Sequence, residues 1–396
     1  MDWHLECSGC GDTASADGLK GVCTICGRPY LVRYPNRDHS ILERAEVRRR
    51  WGMWRYRSFL PLHGDEQPIT LGEGDTPLLS VPRVASALNL GNLWVKDEST
   101  NPTGSFKARG LSAAVTRAVH AGASGFTLPT AGNAGVAASA YGARAGRPVR
   151  VYAPRTTPSI ILQQIRAFGG DLQLVDGHIG DCGKLSRAYA EEHGAVDLST
   201  LREPYRIEGK KTLGLELAMQ LNWEFPEAII YPTGGGTGLI GMWKAFQELR
   251  DAGWVVGDLP RMYAVQAEGC APIVRAWEAG AETATPWENP VTAAAGLRVP
   301  GALGDALILR ALRESGGAAL AVGEQALLDV ARFATAQEGI DWSPEGGATI
   351  MAALELSRRG VLGARDRVVL FNTGAGWLYR EPGEVAPHVD PRSFAA

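Results

Sequence analysis

Short apolar runs of strand type alternate with helical patterns along most of this 396-residue chain, and that alternation restricts the fold more than any other feature. The strand-type runs are LWVKDE (93–98), GFTLPT (125–130), VRVYAP (149–154), DLQLVDG (171–177), AIIYPT (228–233), MYAVQAE (262–268) and RVVLFNT (367–373). Helical patterns such as SFKARGLSAAVTRAVHAG (105–122) and GEQALLDVARFATAQEG (323–339) lie between most of them. A parallel strand pair needs a long crossover, so this alternation predicts an α/β fold with open, mainly parallel sheets. At 45% hydrophobic and 21% charged residues, the chain can fill substantial cores in two or three domains. Ligands of such sheets sit beyond the carboxyl ends of the strands.

Three loops follow strand candidates in the way that rule requires. TGGGTG (233–238) comes after EAIIYP (227–232) and before LIGMWKAFQELRDAG (239–253), where Leu239, Met242, Trp243, Phe246 and Leu249 recur at helical spacing. Strand, glycine loop and helix in that order aim backbone N–H groups and a helix dipole at a phosphate. The loop matches neither the dinucleotide nor the P-loop signature; a plain glycine-rich turn is the other reading. TLPTAGNAGVAASAYGARAG (127–146) is a second strand-to-helix junction, with small residues that let the backbone approach a ligand. Its Asn133 can bond a polar ring substituent, cap the helix, or do both. VVLFNTGAGWLY (368–379) ends a strand in Asn372-Thr373-Gly374, with Gly376 close behind. A Thr hydroxyl there can face a ring nitrogen, or belong to an ordinary turn.

NPTGSFKARG (101–110) sets Lys107 behind a Pro-Thr-Gly turn and a Ser-Phe pair. Most lysines are solvated surface charges. Partial desolvation would instead favour the neutral amine that attacks an aldehyde. Together with a phosphate loop and two polar ring contacts, such an amine meets the needs of pyridoxal phosphate.

The order of these segments resembles the fold-type II family of pyridoxal phosphate enzymes, over roughly residues 70–380. EGKKTLGLELAMQLNW (208–223) and SPEGGAT (343–349) are similar to its threonine synthase branch. The resemblance implies two open, mainly parallel-sheet domains of the tryptophan synthase β-like kind. Residues 34–108 and 205–396 would form the large one and 109–204 the small one. It implies that Lys107 holds the cofactor covalently, that Asn133 bonds its 3′-oxygen, and that Thr373 faces its ring nitrogen. Gly234, Gly235, Gly236, Thr237 and Gly238 would cradle the phosphate. Thr130, Ala131, Gly132, Asn133 and Ala134 would bind the carboxylate of a small amino-acid substrate. Ser105 and Glu345 would line the pocket near the reacting centre. The implied reaction is conversion of O-phosphohomoserine and water to threonine and phosphate, by an enzyme expected to be a homodimer.

The chain departs from the family pattern in places that touch the substrate. Ala108 stands where many members have Asp after the lysine. Ala375, Trp377 and Leu378 stand in the region of the usual Thr-Gly-x-Gly-Leu-Lys ending, and no lysine follows. TTPSIILQQIRAFGG (156–170) has no lysine at its start. A substrate phosphate calls for convergent cations. Arg155, Arg166, Lys210 and Lys211 are candidates, although each reads more readily as a solvated surface charge. A threonine or serine dehydratase, or a β-replacement enzyme, fits the same cofactor machinery.

The amino end is separate. Cys7-x2-Cys10 and Cys23-x2-Cys26, in CSGCG and CTICG, have zinc-ribbon spacing, so residues 1–33 are expected to hold a structural Zn2+. Four thiolates would close the metal to catalysis, and the metal would supply folding energy that so short a segment lacks. Some threonine synthase relatives carry a similar ribbon. Zinc ribbons also bind proteins and nucleic acids, and RAEVRRRWGMWRYR (44–57) is basic and aromatic. The net charge of −3 argues against nucleic acid. The alternative is an arm with Trp51, Trp54 and Tyr56 packed inward. YPNRDH (34–39) reads as a linker, and the Pro-rich EPGEVAPHVDPRSFAA (381–396) as a peripheral tail. Cys182 and Cys270 read as buried small hydrophobes. MDWHLECSGC has no signal-peptide pattern, and no apolar run approaches a membrane span, so a cytoplasmic location is expected.

Overall fold

The computed structural model of the chain describes residues 3–35 and 41–380. Residues 36–39 of the linker and the whole Pro-rich tail lie outside the described residues. In chain order the strands are β1 (His4–Cys7), β2 (Thr13–Ala14), β3 (Tyr30–Arg33), β4 (Leu78–Ser80), β5 (Asn92–Asp97), β6 (Phe126–Pro129) and β7 (Val149–Pro154). Then follow β8 (Asp171–Val175), β9 (Val196–Asp197), β10 (Ala228–Pro232), β11 (Arg261–Ala267), β12 (Ala318–Val322) and β13 (Arg367–Asn372). The chain divides into two compact units, and each strand pairs only within its own unit.

The first unit comprises Met1–Asp75, Asn101–Glu216 and Lys244–Trp254. It holds the antiparallel ribbon β2-β1-β3 and the parallel sheet β8-β7-β6-β9. The helix Lys107–His120 is buried from Ala108 to Ala118. Its Gly110 meets the helix Tyr205–Gln220 so closely that an added Cβ would lie 2.9 Å from Lys210 Cε and 3.2 Å from the Arg206 carbonyl. A Cβ on Gly209 would lie 2.1 Å from the Arg109 carbonyl. Glycine inside a helix costs about 1 kcal/mol, and here it allows the two backbones to touch. That contact fixes the position of the residues just after Lys107.

Paired charges fill the interior of this unit. The Arg109 guanidinium bonds Glu216 Oε1 at 3.0 Å, and Asp75 N–H donates to the same carboxylate at 2.9 Å. Glu208 takes Lys211 at 2.7 Å, Lys244 at 2.9 Å and the Tyr34 hydroxyl at 2.6 Å. Lys211 and Lys244 hold Glu208 down at about 2 against the opposing effect of its burial. Removing one partner of such a cluster would leave an uncompensated buried charge.

The second unit comprises Thr76–Thr100, Leu217–Trp243 and Val255–Ala396. Its sheet runs β12-β11-β10-β13-β5-β4, parallel except for the edge strand β4. AIIYP of β10 is buried throughout, as expected for a parallel strand covered on both faces. From β10 the chain moves outward through β11 to β12, then returns to place β13 on the other flank of β10. The strand order therefore reverses between β10 and β13, the kind of crevice where open α/β sheets take ligands.

The strand-type runs of the sequence agree with the observed strands to within two residues. The alanine-rich β12 was not anticipated, nor were the short β4 and β9. One expectation for the basic arm is corrected. Tyr56 is fully buried, and half-buried Trp54 donates its indole N–H to Glu73 at 2.9 Å, but Trp51 is 85% exposed. Val47 is buried ahead of it, and the positive φ of Gly52 turns the chain immediately after Trp51, so that Met53 onward packs inward again while Trp51 stays out. Cys182 and Cys270 are buried as expected. Among the described residues, no helix is long and apolar enough to cross a membrane.

Candidate active site

In the first unit, Lys107 opens the helix Lys107–His120, directly after a turn in which Thr103 and Gly104 both have positive φ. It is half-buried, with Nζ 4.4 Å from the centre of the Phe106 ring. Lys210 Nζ lies 3.8 Å from the same ring centre and donates to the Phe106 carbonyl. Ser105 is fully buried, and its hydroxyl accepts the Lys107 N–H at 3.4 Å.

The loop after β6 leads into the helix Asn133–Arg144, whose N-cap is Gly132. Asn133 is thus the first helical residue rather than the cap. Its side-chain amide makes no hydrogen bond among the described residues. The Thr130 hydroxyl serves the loop itself: it donates to the Gly132 carbonyl at 2.7 Å and accepts from Gly132 and Gly135 N–H at 3.1 Å each. What the loop can offer a carboxylate is the first-turn N–H groups, which have no acceptor within the helix, at its positive end. A Cβ on Gly135 would lie 2.5 Å from Thr130 Cγ2, so the loop closes on a glycine.

Of the cations considered from sequence, Arg155 and Arg166 are exposed, and Arg155 pairs with Asp176. Lys210 and Lys211 are fully buried, against the expectation of surface charges. Sequence reasoning missed Arg206. It is 1% exposed, and Nη1 donates to the Leu198 carbonyl at 2.7 Å. Its Nε and Nη2 are buried and make no hydrogen bond among the described residues. Two adjacent guanidinium donors left bare in the interior are costly unless an anion takes both. Glu203 lies three residues away and accepts the N–H groups of Tyr205 at 2.7 Å and Arg206 at 3.1 Å. Burial pushes its carboxyl up to about 7, against the pull of Arg206 and those N–H groups. The available signal was the EPYRIEG stretch leading into EGKKT, but no glycine loop marked it as a site.

In the second unit, the loop after β10 is fixed at its root. Thr233 N–H donates to the Val265 carbonyl at 2.8 Å, and the Thr233 carbonyl accepts Gln266 Nε2 at 3.0 Å. No backbone N–H from Gly234 to Thr237 has an acceptor among the described residues. The helix Thr237–Asp251 begins there, adding its positive end. A Cβ would lie 2.2 Å from the Gly296 carbonyl at Gly234, 2.2 Å from Ile308 at Gly236, and 1.9 Å from the Tyr231 hydroxyl at Gly238. Gly236 also has φ +73°. This cradle of bare N–H groups, closed to side chains, fits a phosphate.

The register Ala228↔Val368, carried forward, sets Thr373 level with Thr233 across the crevice between β10 and β13. Thr373 is largely buried, and its hydroxyl makes no hydrogen bond among the described residues. Asn372, just before it, bonds Ser343 and Asp97 and so anchors the strand end. Glu345, in the first turn of the helix Pro344–Arg358, is 3% exposed. Burial holds its carboxyl above the usual range, against the N–H groups that reach it.

In the ribbon, the ligand atoms of Cys7, Cys10, Cys23 and Cys26 all lie within 4.8 Å of one another. The Cys7–Cys26 and Cys10–Cys23 sulfurs are 3.3 and 3.7 Å apart. Zinc with bonds of about 2.3 Å would set tetrahedral sulfurs about 3.8 Å apart, so the cluster fits that ion. Each knuckle turns on a positive-φ glycine, Gly11 or Gly27, whose N–H returns to the carbonyl of Cys7 or Cys23.

Comparison with known proteins identifies the family. The family described as pyridoxal-phosphate dependent enzyme matches residues 69–374. Threonine synthase of Methanosarcina acetivorans is 34% identical over 385 residues, 97% of this chain and 93% of its own length. Threonine synthase of Methanocaldococcus jannaschii is 31% identical over 373 residues, 94% of this chain and 92% of its own. Among solved structures, a fungal L-serine ammonia-lyase from Rhizomucor miehei matches with a TM-score of 0.66 and 25% identity, over 78% of this chain and 95% of that one.

Proposed function

The chain belongs to the pyridoxal-phosphate dependent enzyme family, and from that membership we propose that it acts as a threonine synthase, converting O-phosphohomoserine and water to threonine and phosphate. The observation that carries the substrate assignment is Arg206. A fully buried guanidinium with two unused donors suits a dianionic leaving group, which a dehydratase substrate would not bring. Likeness to threonine synthases over nearly the whole chain supports the same reading.

Bound pyridoxal phosphate supplies an electron sink for charge developing at the substrate's α-carbon. The chain's residues supply the rest. Lys107 would hold the cofactor through Nζ, and the same amine, when not so engaged, would accept the substrate's α-proton. Gly234, Gly235, Gly236, Thr237 and Gly238 hold the cofactor phosphate. Asn133 and Thr373 orient the ring through groups that have no other partner among the described residues. A neutral Thr hydroxyl, unlike a carboxylate, does not force a proton onto a ring nitrogen, which favours elimination and replacement over transamination. The N–H groups of Ala131, Asn133 and Ala134 receive the substrate carboxylate, in a loop shaped by Thr130 and Gly132. Ser105 and Glu345 border the reacting carbons, and Arg206 receives the leaving phosphate.

We assign residues 1–33 to a zinc ribbon, with Cys7, Cys10, Cys23 and Cys26 as ligands. From the family resemblance, residues 34–108 with 205–396 are assigned to the large domain and 109–204 to the small one, bounds that differ from those of the two compact units. A cytoplasmic homodimer without a nucleic-acid partner completes the reading.

A serine or threonine dehydratase is the second reading. It is favoured by Leu378 in place of the family's lysine and by the likeness to a serine ammonia-lyase. Incubation with O-phosphohomoserine, threonine or serine separates the two. Phosphate and threonine in equal amounts support the first reading, and a 2-oxo acid with ammonia supports the second. Arg206→Leu should abolish saturation by O-phosphohomoserine; turnover indifferent to that change would remove Arg206 from the site.

A further inference from the structure

Glu345 divides its two oxygens unequally. Oε1 accepts the Gly296 N–H at 2.7 Å and the Tyr379 hydroxyl at 2.8 Å. Oε2 is buried and makes no hydrogen bond among the described residues. The same Gly296 presses on the glycine loop, because its carbonyl would lie 2.2 Å from a Cβ at Gly234. On the other side, Gly346 packs against the Asn372 side chain, where an added Cβ would meet Oδ1 at 2.6 Å, and Thr373 comes next in sequence. The carboxyl therefore shares a neighbour, Gly296, with the loop assigned to the cofactor phosphate, and the residue after it packs on the strand end that carries Thr373. One of its oxygens is fully used, and the other is bare.

Tyr379 is held where it can do this. The turn that carries it is tied to Asp341 and Trp342: Gly376 N–H donates to the Asp341 carbonyl at 3.2 Å and Trp377 N–H to Asp341 Oδ2 at 2.9 Å. Arg380 pairs with the same carboxylate. A Cβ on Gly376 would lie 2.5 Å from the Trp342 carbonyl, so the turn closes on a glycine. This is the segment that departs from the family ending, with Leu378 where a lysine is usual.

We propose that Tyr379 is a positioning residue: with the Gly296 N–H it occupies Glu345 Oε1, so that Glu345 presents Oε2 as an O–H donor to the cofactor. A carboxyl that receives two donors on one oxygen carries its proton on the other. Burial favours the protonated form, consistent with the raised carboxyl. The inference rests on the cofactor assignment above, and not on which substrate is turned over.

The test uses the full chain loaded with pyridoxal phosphate, in four variants: Tyr379→Phe, Glu345→Ala, the two combined, and Glu345→Gln. The visible absorbance band of the bound cofactor and the separate kcat and KM for O-phosphohomoserine are read. Tyr379→Phe should lower kcat by about tenfold, the scale of one hydrogen bond, with KM within about twofold. It should displace the visible band. Glu345→Ala should displace the band further, and adding Tyr379→Phe to it should change nothing more. Glu345→Gln, which keeps one acceptor and one donor, should restore the visible band toward its wild-type position where Glu345→Ala does not. An unchanged band in Tyr379→Phe, losses that multiply in the double variant, or a Gln band displaced as far as that of Ala would each overturn the proposal. If the wild-type chain binds the cofactor but leaves O-phosphohomoserine untouched, the substrate assignment falls, and the band still decides the role of Tyr379. If it binds no cofactor, both readings fall together.

Discussion

The cysteine ribbon and the glycine loop prepare their ligands' places by opposite means. In the ribbon the ligand atoms are side chains: four sulfurs converge from two short knuckles, and the backbone serves to turn the chain. In the loop the groups proposed to hold the phosphate are backbone N–H groups, and the side chains contribute by being absent. The difference predicts how each fails. The ribbon fails when an atom is taken away. The loop fails when an atom is added, and what it strikes comes from far along the chain: Gly296 for Gly234 and Ile308 for Gly236.

The largest expected effect removes the amine assigned to the cofactor whose phosphate the loop would hold. Lys107→Ala should lower turnover by about 10³-fold or more and erase the visible absorbance of the bound cofactor. A variant that keeps both would remove Lys107 from its role, and the comparison would then concern structure alone. Next comes an atom added to the loop. Gly238→Ala puts a Cβ 1.9 Å from the Tyr231 hydroxyl, so a buried ring must move. We expect roughly 1–3 kcal/mol of lost stability from overpacking, and most of the cofactor lost on dialysis. Gly301→Ala is the control, since a Cβ there meets nothing within 4 Å. Equal cofactor retention in the two variants would break the account of the loop.

Removing an atom from the ribbon should do less to turnover and more to the metal. Cys23→Ser should drop bound zinc from about one per chain to almost none by elemental analysis. The consequence for the first unit passes through aromatic contacts. Trp3 stacks on His63 with ring centres 4.1 Å apart, and the Tyr34 hydroxyl reaches Glu208 at 2.6 Å in the buried charge cluster. Melting of that unit should therefore fall with loss of the metal, and Tyr34→Phe alone should cost about 1–3 kcal/mol by leaving Glu208 one donor short. A metal-free chain with unchanged melting would show that the ribbon stands apart from the rest.

The same contrast explains what could be read from the sequence. The ribbon was legible because its ligands are four residues of one type at fixed spacing. The glycine loop was legible as a pattern, because strand, glycines and helix follow one another directly. The residues that make its glycines obligatory were not, since contacts with Gly296, Ile308 and Tyr231 depend on how the second unit folds. Arg206 escaped for a related reason. Its distinction is burial with two bare donors, and a sequence records neither. Lys210 and Lys211 misled in the opposite sense, because lysines are exposed by default and these are covered by Phe106, Tyr34 and neighbouring carboxylates. Trp51 misled because an aromatic beside buried Met53 and Tyr56 looks like core, until Gly52 turns the chain.

Glu203 mixes the two modes, a side chain that takes backbone N–H groups at the start of the helix Tyr205–Gln220, and it gives the smallest and most quantitative test. Its carboxyl is raised from the ordinary 4.5 to about 7 by burial. Between those two pH values the folded chain holds a proton that the unfolded chain has released. The contribution of Glu203 to stability is therefore fully present below about 4.5, declines as pH rises, and is gone above about 7. The span corresponds to roughly 3 kcal/mol. Urea midpoints for wild type and Glu203→Gln across pH 4.5 to 8 isolate it, because the Gln variant lacks the titration and should lose less stability over that window. Parallel curves would mean that the Tyr205 and Arg206 N–H groups, with the Arg206 guanidinium, keep the carboxylate ionised throughout. Arg206 would then have a full negative charge beside it in place of a neutral acid, and its two bare donors would no longer argue for an anionic substrate group.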